Sequence, residues 1–221
     1  MKKLNQMIKN LASISKNFMV IFFSVLLLHG LRGCLPPVPN VIDRPMVRES
    51  ITAESADLTI LEIGIAALRS PFDRIIELDI SSYGGSVMDG RRITNRMKEL
   101  KASGYKFYCY TDKAFSMGFH ILQNCDLRIG KPGAWYMQHR IHNGSGREAM
   151  EKEGISRERQ RTLKFLELEM ARVEAKKIGI PLSLWLFVTL YSYWVNNEQA
   201  CKSNIIDAYY KDGEIQSCLN P

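Results

Sequence analysis

The chain has 221 residues, about one domain's worth plus an appendage. Its 46% apolar and 24% charged content excludes a disordered, collagen-like or multi-span membrane protein. The formal charge of +7 is localised, because residues 1–33 carry Lys2, Lys3, Lys9, Lys16 and Arg32 and no acid; the remainder holds 25 basic against 23 acidic residues, or +2, which gives no electrostatic case for nucleic acid.

The basic leader, residues 1–33, reads as a targeting segment. Its apolar run, residues 18 to 28, is shorter than the roughly 20 residues a spanning helix requires and suits a signal-peptide core. An uncleaved N-terminal anchor is the alternative. The run ends at Leu31-Arg32-Gly33-Cys34, which resembles the bacterial lipobox and makes Cys34 a candidate lipidation site; Arg32 departs from that pattern. Residues 34–49, opening with Leu35-Pro36-Pro37-Val38-Pro39, are expected to form a stiff spacer. The domain proper is then 50–221. The expected location is extracytoplasmic or tethered to the membrane through the N-terminus, with the cytoplasm as the alternative. With Cys34 set aside, Cys109, Cys125, Cys201 and Cys218 remain, an even number that permits disulfides outside the cytoplasm. Cys109 and Cys125 read equally well as small buried residues. No Cys-x-x-Cys pair points to zinc, and neither a metal nor a cofactor is expected.

From residue 50 the pattern alternates between strand-like and helix-like stretches, which predicts an α/β layered core. Residues 56 to 68 are expected to open the domain as a strand and a helix. Ile75 to Ile80 reads as a strand, and Ser82-Tyr83-Gly84-Gly85-Ser86 as the turn that ends it. A helix is predicted from about Asp89 to Leu100, with Ile93, Met97 and Leu100 on one face. Gly104 to Tyr110 is β-rich, and Ser116 through Gln123 opens an apolar helix. Strands at Asp126 to Ile129 and Ala134 to Gln138 lead to His139. A long helix from about Arg147 to Lys177 carries a modest apolar seam that includes Leu163, Leu166, Leu168 and Met170.

Three pieces stand in order: Tyr83-Gly84-Gly85-Ser86-Val87 after a strand, Ala114-Phe115-Ser116-Met117-Gly118 at a helix start, and Tyr136-Met137-Gln138-His139 at a strand end. Together they resemble the Clp protease proteolytic subunit, within the wider crotonase-like fold, over Ile75 to Asp207. The resemblance implies repeated β-β-α units and a long handle helix by which two rings of subunits meet. It also implies a serine-type endopeptidase that cleaves peptides or unfolded protein through an acyl-enzyme. Ser116 is then the nucleophile, His139 the general base, and the N–H groups of Gly85 and Met117 the oxyanion donors. That division of labour is what acyl transfer needs. Of the other histidines, His29 lies in the leader, His120 inside the Ser116 helix and His142 in the following loop. No Gly-x-Ser-x-Gly elbow occurs, which disfavours an α/β-hydrolase.

The family's orienting aspartate falls on Ser192, and no Asp or Glu occurs between Glu174 and Glu198. Serine can hold an imidazole N–H but cannot stabilise an imidazolium, and loss of such a carboxylate costs on the order of 10⁴ in turnover. Three outcomes stay open: a Ser-His dyad helped by Ser192 or Asn196, an acid from elsewhere in the fold, or an inactive homologue acting as scaffold or regulatory subunit. Tyr83 and Phe115 are bulky for their places and expected to reshape the pocket beside Ser116. Apolar residues from Ile180 to Val195, including Trp185, Phe187 and Trp194, imply a burial partner in the core or a neighbouring subunit. The resemblance further implies a homo-oligomeric ring. An ATP-driven unfoldase is a partner only for a cytoplasmic chain, and no phosphate-binding loop of its own is present.

Overall fold

The computed structural model describes residues 44–141 and 157–218. The leader, Cys34, His142 and the first ten residues of the expected long helix lie outside them.

The core is a seven-stranded, mostly parallel sheet flanked by helices. Strand β1 (Met46–Val47) pairs in parallel with β3 (Ile75–Ser82), β3 with β5 (Lys106–Phe115), and β5 with β6 (Leu127–Gln138). Beyond β6 lie β8 (Ala208–Lys211) and its antiparallel hairpin partner β9 (Glu214–Ser217), while β7 (Tyr193–Asn196) runs antiparallel along the far end of β6. A separate pair joins β2 (Ser50–Ile51) to β4 (Gly84–Gly85), in the register Ser50 to Gly84 and Ile51 to Gly85. The strand β1 lies within the stretch read as a spacer.

Strict alternation builds β3: Ile76, Leu78, Ile80 and Ser82 face inward and are buried, as a half-buried strand requires. The two predicted strands around residues 126–138 are one strand, with a register shift against β5 between Thr111 and Lys113 that absorbs the Pro132-Gly133 interruption.

Residues 56 to 68 contain no strand, a correction to the sequence expectation. They lie within helix α1 (Ala53–Arg69), whose Thr52 cap and Ser55 exchange hydrogen bonds in a capping box. Its buried face holds Ala56, Thr59, Glu62, Ile63 and Ala67. Glu62 is only 2% exposed, and it accepts the Met46 N–H at 3.0 Å and an Arg48 guanidinium N–H at 2.6 Å. Helix α2 (Val87–Ala102) buries Ile93, Met97 and Leu100, the predicted face. Helix α3 (Met117–Gln123) follows β5 after a single residue, Ser116.

The long helix α4 (Arg157–Ile178) buries Leu166, Met170, Ala171, Glu174, Ala175 and Ile178. Gly179, at φ +86°, ends it by taking the left-handed conformation and donating its N–H to the Ala175 carbonyl. The apolar stretch after it forms helix α5 (Leu182–Val188), a turn of 3₁₀-helix (Thr189–Tyr191) and β7, and α6 (Asn197–Lys202) follows. Trp185 and Val195 are buried in the core, whereas Phe187, Tyr191 and Trp194 remain exposed. Two disulfides, Cys109–Cys125 and Cys201–Cys218, staple β5 to the turn just before β6 and α6 to the residue just after β9. The tail is fixed by Asp207, which accepts from Arg128 Nε at 2.9 Å, Nη2 at 2.7 Å and its backbone N–H at 2.8 Å.

Candidate active site

Ser116 sits at the sharp passage from β5 into α3, with φ +52° and ψ −115°. A non-glycine residue there stores about 1–3 kcal/mol of strain and persists only when its surroundings hold it. Two bonds do so: the Ser116 N–H donates to the Met137 carbonyl at 2.8 Å, and its carbonyl accepts the His120 N–H at 3.1 Å. The side chain makes no helix-capping bond. It lines a cleft of about 240 Å³ together with Tyr83, Gly85, Val87, Met117, Gln138, His139, Ile141 and Met170. A strand, a strained residue and a helix in succession make a sharp turn like the one that exposes the nucleophile in α/β-hydrolases, here without the flanking sequence signature.

The glycine pair is fixed by close approach. A Cβ on Gly84, which has φ +92°, would lie 2.7 Å from Ser116 Cβ and 2.8 Å from the Phe115 carbonyl oxygen. On Gly85 it would meet the Ile51 carbonyl oxygen at 2.4 Å. Pairing of β2 with β4 thus presses Gly84 against the Ser116 turn and sets Gly85 on the cleft wall. Met117 is the first residue of α3, where backbone N–H groups have no intrahelical acceptor. Four of the residues singled out from sequence, Gly85, Ser116, Met117 and His139, therefore line one cleft.

His139 follows the last residue of β6 and is half-buried. Its Nδ1 lies 2.5 Å from the Arg140 carbonyl oxygen, which fixes Nδ1 as the donor in that contact. Arg140 is itself held: its Nη2 donates to the Leu186 carbonyl at 3.1 Å, and its guanidinium faces Glu167. Ser192 is not brought into the cleft. The ladder between β6 and β7 ends at Gln138 opposite Tyr193, so Ser192 is the next residue out, opposite His139, but it is exposed, at φ +61°, and absent from the cleft wall. Asn196 caps α6 instead, accepting the Gln199 N–H at 3.0 Å.

Of the two bulky residues, Tyr83 lines the cleft and Phe115 does not. The Phe115 ring packs edge-on against Trp194, centroids 5.0 Å apart, and lies 5.8 Å from Tyr83, so the three form an aromatic strip beside the Ser116 turn. The Lys113 ammonium lies over the Tyr83 ring, 4.3 Å from its centroid, and donates to the Tyr83 hydroxyl at 3.0 Å.

Sequence reasoning missed a buried polar group behind His139. Gln138, 4% exposed, accepts the His139 N–H at 3.0 Å and donates Nε2 to Glu174 at 2.6 Å. Glu174 also accepts from Trp185 Nε1 at 2.7 Å and faces His120 Nδ1 at 3.0 Å. One signal was available: Ala134, Tyr136 and Gln138 share the inward face by the strand's period of two, and an inward glutamine demands a partner.

A family model for Clp protease matches residues 43–212, more than half of the chain. No curated protein sequence matches it.

Proposed function

The chain belongs to the Clp protease family, whose members act on protein substrates and typically form oligomeric rings, and from that premise we propose that it is a serine-type endopeptidase working through a Ser116–His139 dyad. The observation that carries this reading is the shared cleft, which puts the strained Ser116 turn, His139, Gly85 and Met117 around one space. In the proposed step His139 Nε2 takes the Ser116 proton as Oγ attacks the substrate carbonyl. The Gly85 and Met117 N–H groups hold the oxyanion, and the imidazolium then protonates the leaving amine. The resulting acyl-enzyme is released by water along the same path.

The Arg140 carbonyl is an orienting acceptor for His139. It sets the tautomer, because a proton on Nδ1 makes Nε2 the basic nitrogen.

The proposed location is extracytoplasmic or membrane-tethered through the N-terminus. The two disulfides support it, because such bonds persist in oxidising compartments. Among the described residues no helix is long and apolar enough to cross a membrane. Outside the cytoplasm the protein has no ATP-driven unfoldase, and its substrates are peptides or loosely folded chains. A homo-oligomeric ring, as in the family, is the proposed assembly.

Hydrolysis of a fluorogenic peptide by the purified chain and by Ser116→Ala tests the reading. Turnover by the wild type and none by the variant is expected; equal rates in both would overturn it. A second reading, a silent scaffold or regulatory subunit, is favoured by the exposed serine at the third triad position, and measurable Ser116-dependent turnover eliminates it.

A further inference from the structure

The carboxylate of Glu174, 2% exposed, is the meeting point of three otherwise separate parts of the site. Through Gln138 it reaches the end of β6, since Gln138 Nε2 donates to Glu174 Oε1 at 2.6 Å while Gln138 Oε1 accepts the backbone N–H of His139 at 3.0 Å. Through His120 it reaches α3, the helix that begins directly after Ser116; His120 Nδ1 stands 3.0 Å from Glu174 Oε1, and the His120 N–H holds the Ser116 carbonyl. A carboxylate only accepts, so His120 carries its proton on Nδ1, consistent with Asn124 Nδ2 approaching Nε2 at 3.4 Å. Through Trp185 Nε1, at 2.7 Å, it reaches α5, and the Trp185 ring stacks on Phe119 of α3 with centroids 5.7 Å apart. Gln138 and His139 line both the Ser116 cleft and a second, water-sized cavity of about 20 Å³ whose wall includes Glu174 and Trp185.

Burying a carboxylate carries a large desolvation penalty, and well-packed apolar groups of equal volume usually give an equal or more stable core. What the carboxylate supplies that an apolar group cannot is direction, because three donors from three elements must point at its two oxygens.

We propose that Glu174 is a positioning residue for the Ser116–His139 pair. It holds the His139 backbone through Gln138 and the Ser116 turn through His120, and so fixes the distance between nucleophile and base that a third triad member would otherwise help to set. This rests on the dyad reading above.

The test is a double-mutant cycle of Glu174→Gln and Gln138→Met, with Trp185→Phe and Ser116→Ala alongside, read as kcat and KM on a fluorogenic peptide. Loss of positioning by a fraction of an ångström to 1 Å is expected to lower kcat by about tenfold to a hundredfold, with KM within about twofold. Because both groups act in one chain of contacts, the double variant should be no slower than the slower single variant. Trp185→Phe keeps an aromatic ring beside Phe119 but removes the donor to Glu174 together with part of the indole's volume, and it lowers kcat in the same way; Gln138→Met, which cuts the link between Glu174 and the His139 N–H, carries the test where Glu174→Gln does not fold. Single variants within about twofold of wild type, or effects that multiply in the double variant, would overturn the inference. If those results came with an inert Ser116→Ala, only the positioning role would fall. An active Ser116→Ala would remove the dyad and the positioning role together.

Discussion

Gly84→Ala should disable the site without unfolding the protein, and its size can be worked from the contact geometry. The new methyl carbon would stand 2.7 Å from Ser116 Cβ, 2.8 Å from the Phe115 carbonyl oxygen and 3.1 Å from the Met117 nitrogen. Carbon atoms rest about 3.5–4.0 Å apart, so the Ser116 turn or the β4 strand must yield by about 1 Å. Two of the three atoms are backbone, and Ser116 Cβ is fixed to it, so no rotamer change relieves the clash. A displacement of 1 Å costs up to about a hundredfold in rate, equivalent to about 2.7 kcal/mol of transition-state stabilisation. The φ of +92° adds a strain of about 1–3 kcal/mol to the folded state. Gly133→Ala separates the two effects, since Gly133 has φ +72° but nothing within 4 Å of its virtual Cβ. The assay is kcat/KM on a fluorogenic peptide, with urea unfolding of each variant. Both variants should lose stability and only Gly84→Ala should lose turnover. Activity of Gly84→Ala within about threefold of Gly133→Ala would show that the Gly84 contact does not set the Ser116 turn.

Two further outcomes concern stability. Burial pushes the Asp207 carboxyl up, but the hydrogen bonds and charge of Arg128 outweigh it and hold the group below its ordinary range. A depressed folded-state pKa contributes stability above the unfolded value and loses it as pH falls through the folded value. Asp207→Asn should therefore cost about 3–5 kcal/mol at pH 7, because it strands the buried Arg128 charge, and the gap to wild type should narrow below about pH 4 in urea melts; a gap unchanged with pH would contradict this. The disulfides close loops of 16 and 17 residues' separation, worth about 3 kcal/mol each in the chain-entropy description. Mass spectrometry after alkylation without reductant should leave Cys109, Cys125, Cys201 and Cys218 unmodified, and alkylation of any of them in the folded protein would count against the pairing.

Where burial follows local pattern, the elements were legible in the sequence. Alternation marked β3 and the start of β5, and spacing marked the Ile93, Met97 and Leu100 face of α2. In α1 the pattern misleads, because its buried face includes Thr59 and Glu62 while Leu58, Leu61 and Leu68 are exposed. Glu62 is buried only because Arg48 and the Met46 N–H meet it, a long-range fact that no window of sequence contains. Residues 126–129 and 134–138 were read as two strands, yet β6 runs through the Pro132-Gly133 between them. Apart from Ile141 and Met170, the residues of the cleft were found through three short motifs in order. Glu174 was hidden among Arg172, Lys176 and Lys177 on a helix read as charged, and its three partners lie 11, 36 and 54 residues away. The glycine pair, Ser116 and His139 carry local signatures of turn, helix start and strand end. A buried network does not, because each of its members is an ordinary residue until the fold brings them together.

The site of covalent capture tests most directly whether Ser116 is the nucleophile. The purified protein is treated with a fluorophosphonate, digested and mapped by mass spectrometry. A single adduct on Ser116, absent after Ser116→Ala, is the result expected here. An adduct on another residue, or none under conditions that label a known serine peptidase, would contradict it.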